Sequence, residues 1–142
     1  MWWLFKIGFN IHTWIYRLSG GRVGASIGGM RMLILTTRGR RSGKAHSVTL
    51  GYILDGDSYV VIASNGGSIR NPSWHQNLLS EPHGFVMVKR LRLTVTAKVA
   101  DPSARERLWN RLVEKAPLYQ KYQDRTERQI PMVLLTPDIH LG

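Results

Sequence analysis

The chain has no cysteine among its 142 residues, which excludes a disulfide, a thiolate nucleophile and a cysteine-type zinc site. It is also short of acid. Nine Asp and Glu stand against 20 Lys and Arg, a formal net charge of +11. That surplus favours anionic partners, whether nucleic acid, an acidic membrane surface or a polyanionic small molecule, and does not choose among them. The five histidines, 12, 46, 75, 83 and 140, show no H-x-x-x-H spacing, so no metal is expected. The phosphate-loop pattern G-x-x-x-x-G-K-[ST] is missing. So is any recognisable nucleic-acid reading motif, and nucleic acid is not an expected partner.

A membrane-spanning run is missing too. The most apolar stretch is "MWWLFKIGFNIHTWIYRL", residues 1–18. Within it Lys6, Asn10, Thr13 and Arg17 recur at i, i+4, i+7 and i+11. On a helix they form one polar stripe beside Trp2, Trp3, Phe5, Ile7, Phe9, Ile11, Trp14 and Ile15, which a spanning helix would not keep. A secretory signal, with basic start and small-x-small cleavage site, is not expected either. Two readings stand: an amphipathic helix in an anionic lipid interface, or a helix docked on the domain.

What is present divides into a leading segment, residues 1–30, whose helix passes into the glycine-rich "SGGRVGASIGGM", and a domain over 31–142. The domain shows six short apolar or alternating runs: 32–37, 47–55, 58–64, 84–89, 91–99 and 131–137. "DGD" at 55–57 is a tight turn between two of them. "NPSWHQNLLS" reads as a short helix with Asn71 as N-cap and Pro72 at its first position. Asp101 and Pro102 open a second helix with an apolar stripe of Ala104, Leu108, Trp109 and Leu112, and a third stretch follows Pro117. Hairpin-linked strands with helices grouped at the ends predict an α+β fold built on a small antiparallel β-barrel.

Three segments carry chemistry. "TTRGRRSGKAHSVTL", 36–50, is a strand–turn–strand holding Arg38, Arg40, Arg41, Ser42, Gly43, Lys44 and His46. Free backbone N–H groups and guanidinium forks there suit phosphate, although a solvated basic hairpin has the same composition. "ASNGGSIRNPSWHQNL" places Ser64, Asn65, Gly66 and Gly67 after a strand and Trp74 and Asn77 on the next helix. Paired glycines there let backbone approach a flat ligand. "PLYQKYQDRTER" sets Tyr119 and Tyr122 at i, i+3 on one helical face.

In this order and spacing, "LTTRGRRSGKAHSVTLGYILDGDSYVVIAS", "NPSWHQNL" and "YQKYQDRTERQIPMVLLTP" resemble the deazaflavin-dependent nitroreductases, small split-β-barrel oxidoreductases that use coenzyme F-420. The likeness spans about the whole chain, including the leader "YRLSGGRVGASIGG". It implies that Arg40, Arg41, Ser42, Gly43 and Lys44, with Arg38, His46, Thr49 and Leu50 nearby, cradle the coenzyme's phosphate and acidic glutamyl tail. It implies that Ser64, Asn65, Gly66 and Gly67 border the deazaflavin ring, and that Trp74 and Asn77 wall the site. Tyr119 resembles the family's active-site tyrosine, with Tyr122, Ala116 and Trp74 about the substrate. Ser64 and Tyr119 are the expected polarising or proton-supplying groups. Arg125, Thr126, Glu127 and Arg128 resemble an ion-paired brace. Ala45-His46, Thr49, Asn65 and Ala116 depart from the family's Pro-Arg, proline, lysine and tyrosine.

The resemblance thus implies hydride transfer from reduced F-420, more than FMN, to a quinone-like, enone or nitroaromatic acceptor. With residues 1–18 in an anionic lipid interface, the expected protein is a cytoplasmic monomer or dimer at the inner face of the plasma membrane. The alternative is a non-catalytic flavin- or lipid-binding protein of the same fold.

Overall fold

The structure, a computed structural model, describes residues 26–27 and 30–138; the amphipathic helix expected over residues 1–18 lies outside them. The strands are β1 (Ser26–Ile27), β2 (Met30–Arg38), β3 (Ala45–Asp55), β4 (Ser58–Ile62), β5 (His83–Val88), β6 (Leu91–Val99) and β7 (Met132–Pro137). The helices are α1 (Ser73–Ser80), α2 (Pro102–Lys115) and α3 (Leu118–Asp124). All strand pairings are antiparallel, in the order β1-β2-β3-β4-β7-β6-β5, and a β2–β5 pairing closes β2 to β7 into a six-stranded barrel. β1 adds to the start of β2 through Ile27 opposite Met30, inside the glycine-rich connection.

Alternation along the strands builds two cores. Leu33, Leu35, Tyr52, Val61, Val86, Val95, Val133 and Leu135, from all six barrel strands, join Trp74 and Leu78 of α1 in the barrel interior. Met30, Ile53, Val60, Ile62 and Met132 form a second cluster with Leu108, Trp109 and Leu112 of α2. β4 is therefore buried on both faces, which is why "SYVVI" is nearly continuous in apolar residues. The seam needs a glycine. A Cβ on Gly84 would stand 2.6 Å from the Thr36 carbonyl oxygen, so any side chain would force β5 away from β2.

Asp101 caps α2 as expected, its carboxylate accepting from Ala104 N at 2.8 Å with Pro102 in the first turn. Such a cap contributes about 1 kcal/mol. The start of α1 differs: Pro72 is the N-cap, and no side chain caps the helix. The Asn71 amide oxygen instead accepts from Arg128 Nη1 at 2.6 Å, a charged donor outside the helix. β4 also stops at Ile62, because Asn65–Gly67 turns into a single 3₁₀ turn. Gly56 at φ 59° makes the β3–β4 turn.

Candidate functional site

The β2–β3 turn is pinned at its neck by Gly39 N donating to the Lys44 carbonyl at 2.7 Å and Gly43 N to the Gly39 carbonyl at 2.9 Å. Gly43 takes φ 72° to reverse the chain, and the Arg38 guanidinium lies beside it. A Cβ on Gly39 would stand 2.8 Å from both His46 Nε2 and Ser42 Oγ, so that glycine makes room for the two polar side chains. Ser42 Oγ also accepts from Lys44 N at 3.1 Å, fixing the hydroxyl at the turn.

Helix α1 is tied to this turn by one buried amide. Asn77, 3 % exposed, accepts at Oδ1 from Arg40 N at 3.2 Å and Arg40 Nη1 at 2.9 Å, and donates from Nδ2 to Thr37 Oγ1 at 3.1 Å. Between turn and helix opens a cleft of about 640 Å³, within the range of small-molecule and cofactor sites. Arg40, Arg41, Ser42, His46, Trp74 and Asn77 all line it. No carboxylate does. Cations and hydroxyls beside an indole and Val48 suit a ligand with a flat apolar body and an anionic end.

The remaining expected residues lie elsewhere. Ser64, Asn65, Gly66 and Gly67 form the loop after β4, with Asn65, Gly66 and Gly67 all at positive φ, 46°, 64° and 82°. Gly66 faces open space. Gly67 does not: its Cβ would stand 2.6 Å from the Tyr122 carbonyl oxygen, so its bareness serves the contact with α3. Asn65 holds its left-handed conformation by donating from Nδ2 to Ser68 Oγ and the Arg70 carbonyl at 2.8 and 3.0 Å.

This loop wraps one arginine. Arg128 donates to the carbonyls of Ser68, Ala63 and Ser64 at 2.9, 3.2 and 2.8 Å as well as to Asn71, and Arg125 donates to the Gly66 carbonyl at 3.3 Å. The expected brace is present, but it is not ion-paired. Its acceptors are backbone carbonyls and the Asn71 amide, and among the described residues ion pairs join Asp55 to Arg107 and Arg111. Carbonyls suffice because a guanidinium's five donors fit a curved loop that has no acid to offer. His75 is buried nearby, with no partner at Nδ1 among the described residues. Burial first, and then the charge of Arg128, hold its imidazole below the usual 6.5.

Tyr119 and Tyr122 stack edge-to-face, centroids 5.7 Å apart. The Tyr119 hydroxyl reaches β3 at Gly51, where a Cβ would stand 3.3 Å from it. Burial, with a smaller contribution from Tyr122, raises the Tyr119 phenol above its ordinary value, so it is a protonated donor at neutral pH. Ala116 is buried at the end of α2, and Thr49 and Leu50 are half-buried in β3, Leu50 against the barrel core.

Several residues escape a reading of the sequence. Thr37 and Ser47 line the cleft, and Gly39 and Gly51 clear space in it and beneath Tyr119. Their signal is positional. Thr37 and Ser47 are buried polar residues on strands just before and after the turn, Thr37 accepting from Asn77 of α1 and Ser47 sharing a hydrogen bond with Thr36, partners that lie far off in sequence.

A closed six-stranded antiparallel barrel thus carries an acid-free, cation-lined cleft beside an indole, a site suited to a flat cofactor with an anionic end. Residues 8–137 match the model of the family described as F-420H(2)-dependent quinone reductase. An F-420H(2)-dependent quinone reductase of Mycobacterium tuberculosis is 40% identical over 131 residues, covering 89% of this chain and 88% of the relative. The solved structure of an F-420-H2 dependent reductase, FDR-A, superposes with a TM-score of 0.67 at 33% identity, over 73% of this chain and 92% of that one. A second solved chain, described as a domain-swapped dimer, gives a TM-score of 0.68 at 28% identity, over 87% of this chain and 97% of that one. The chain belongs to the F-420H(2)-dependent quinone reductases, a family of oxidoreductases whose cofactor is coenzyme F-420.

Proposed function

We propose that the protein transfers a hydride from reduced F-420 to a quinone-like acceptor, with enones and nitroaromatics as further acceptors. The observation that carries this reading is the cleft: one wall of Arg40, Arg41, Ser42 and His46, the other of Trp74 and Asn77, and no acid between them. Bound there, reduced F-420 supplies the hydride, and the chain supplies position and polarity. The turn's guanidinium groups and N–H groups, with Lys44 and Arg38 beside them, grip a phosphate and glutamyl tail. Asn77 sets where Arg40 points. The loop from Ser64 to Gly66, stiffened by Arg128, offers backbone to the flat ring where Gly66 faces open space. Tyr119 and Ser64 orient the acceptor, and the raised Tyr119 phenol donates a hydrogen bond or proton as negative charge develops. Tyr122 and Ala116 shape the acceptor's side. Protein-held geometry of this kind replaces the entropy cost of a bimolecular encounter.

Residues 1–18 are proposed to lie in the lipid interface, bringing the barrel to acceptors dissolved in the membrane at its cytoplasmic face. None of the described helices is long and apolar enough to cross a membrane. A second copy is a partner suggested by the domain-swapped neighbour.

The test is a titration monitored by fluorescence quenching with F-420 and FMN. F-420 binds more tightly, and its affinity falls as salt rises, because the basic turn reaches a tail that FMN lacks. Equal affinities, or affinity indifferent to salt, overturn the tail assignment.

A further inference from the structure

The end of the barrel away from the β2–β3 turn has its own chemistry. Register places the start of β2, the β3–β4 turn and the β5–β6 hairpin tip together there, since Arg31 pairs with Tyr52 and Ile34 with Met87. Arg31, Lys89 and Arg90 surround a cleft of about 540 Å³ floored by Tyr52 and Tyr59 and edged by Leu54 and Leu91. A second cleft of about 390 Å³ shares Arg31, Tyr52 and Leu54 and adds Arg111 and Lys115.

Two features set this end apart. Leu91 and Leu54 are large apolar side chains at 56 % and 42 % exposure, flanking cations. The acids there are few: Asp55 is held by Arg107 and Arg111, leaving Asp57 in the turn and Glu114 on α2. Lys89 sits at φ 56°, a tight two-residue turn that pushes Arg90 and Leu91 outward as one tip. Exposed leucine beside arginine at a protruding tip suits the headgroup boundary of an anionic bilayer. There phosphate meets the cation and acyl chain meets the leucine.

Chain continuity supports the same occupant. β1 pairs with Met30 and Arg31, so Ser26 and Ile27, where the described chain begins, lie at this end and not at the cofactor turn. We infer that this face, with Arg31, Arg90 and Leu91 at its centre, is a barrel-borne docking surface for anionic lipid. The inference deepens the membrane reading of residues 1–18 and rests on it for the first attachment.

The experiment is vesicle sedimentation of the full chain at 0.15 M salt, on phosphatidylcholine vesicles with and without about one-third phosphatidylglycerol. Arg31→Gln combined with Arg90→Gln weakens binding to the anionic vesicles about thirtyfold, at roughly one kcal/mol per cation near a charged surface, and leaves binding to neutral vesicles unchanged. Leu91→Ser weakens both. The control pair Lys98→Gln with Lys121→Gln removes the same charge from elsewhere and shifts binding less than threefold. Equal losses from the two pairs overturn the inference in favour of net charge. Binding abolished by inorganic phosphate at millimolar concentration overturns it in favour of a free-anion site. Trp2→Ala with Trp3→Ala separates the two readings. If only this variant loses vesicles, the segment attaches and the barrel face does not; if neither it nor the arginine pair loses them, both readings fail. F-420 affinity is unchanged in the arginine pair, which shows that the fold is intact.

Discussion

The β2–β3 turn and the β4–α1 loop are both short, rich in glycine and served by arginine, yet they use it in opposite ways. Around the turn, Arg40 and Arg41 are exposed, and one amide, that of Asn77, restrains Arg40. Around the loop, Arg128 turns inward, and three carbonyls and Asn71 close on it. An arginine whose donors are filled by backbone builds structure; one left among donors is ready for an anion from outside. Arginine content alone cannot tell these apart. The direction of the neighbouring carbonyls does.

Removing each arginine is expected to fail differently. The largest effect belongs to Arg128→Ala, which strands the three carbonyls. It lowers unfolding stability by about 2–4 kcal/mol, read as a shift in urea midpoint at constant slope. A variant as stable as the parent would break the comparison. Arg41→Ala comes next and is expected to weaken F-420 binding about tenfold or more and flatten its salt dependence, with the melting midpoint unmoved. A fall in midpoint instead would make the turn structural like the loop.

Tyr119→Phe sharpens the contrast at the acceptor side. Turnover of a quinone-like acceptor drops about tenfold, equivalent to roughly 1.4 kcal/mol, while F-420 affinity and melting midpoint hold. Normal turnover would reduce Tyr119 to a wall of the site. The smallest effect is set by His75 beneath the loop. Its folded pKa lies below 6.5, so the unfolded chain binds the extra proton first. Stability is fully present above that value and falls as pH drops below it, by at most about 1.4 kcal/mol per unit. Asp55, its carboxyl lowered first by the hydrogen bond from Arg107, acts only below 3.8, so the two windows separate. Melting midpoints from pH 7.5 to 5 detect the slope, and His75→Gln removes it.

The six barrel strands and α2 are legible in the sequence because alternation and the Asp101-Pro102 start are local signals. The cleft is half legible. Arg40, Arg41, Ser42 and His46 lie within one turn, and Trp74 and Asn77 on one short helix, and each group is visible as a pattern. That the Asn77 amide joins them is not, because the bond spans 37 positions. Asn71 misleads for the same reason: locally it is a good cap, and Arg128 takes it from across the fold. Gly67 reads as an opening for a ligand, and a helix fills the space.

The β2–β5 seam also bears on how the molecule is made. Residues 34–36 of β2 meet 85–87 of β5 across about fifty residues of chain, whereas β3 and β4 join through a tight turn. Hairpins form in microseconds, while a distant pairing must first meet the entropy of closing its loop. The ring therefore closes late, and until it does β2 and β5 each carry an unsatisfied edge. During synthesis that edge is exposed from the moment β2 emerges until β5 arrives, and a second nascent copy could take its place there.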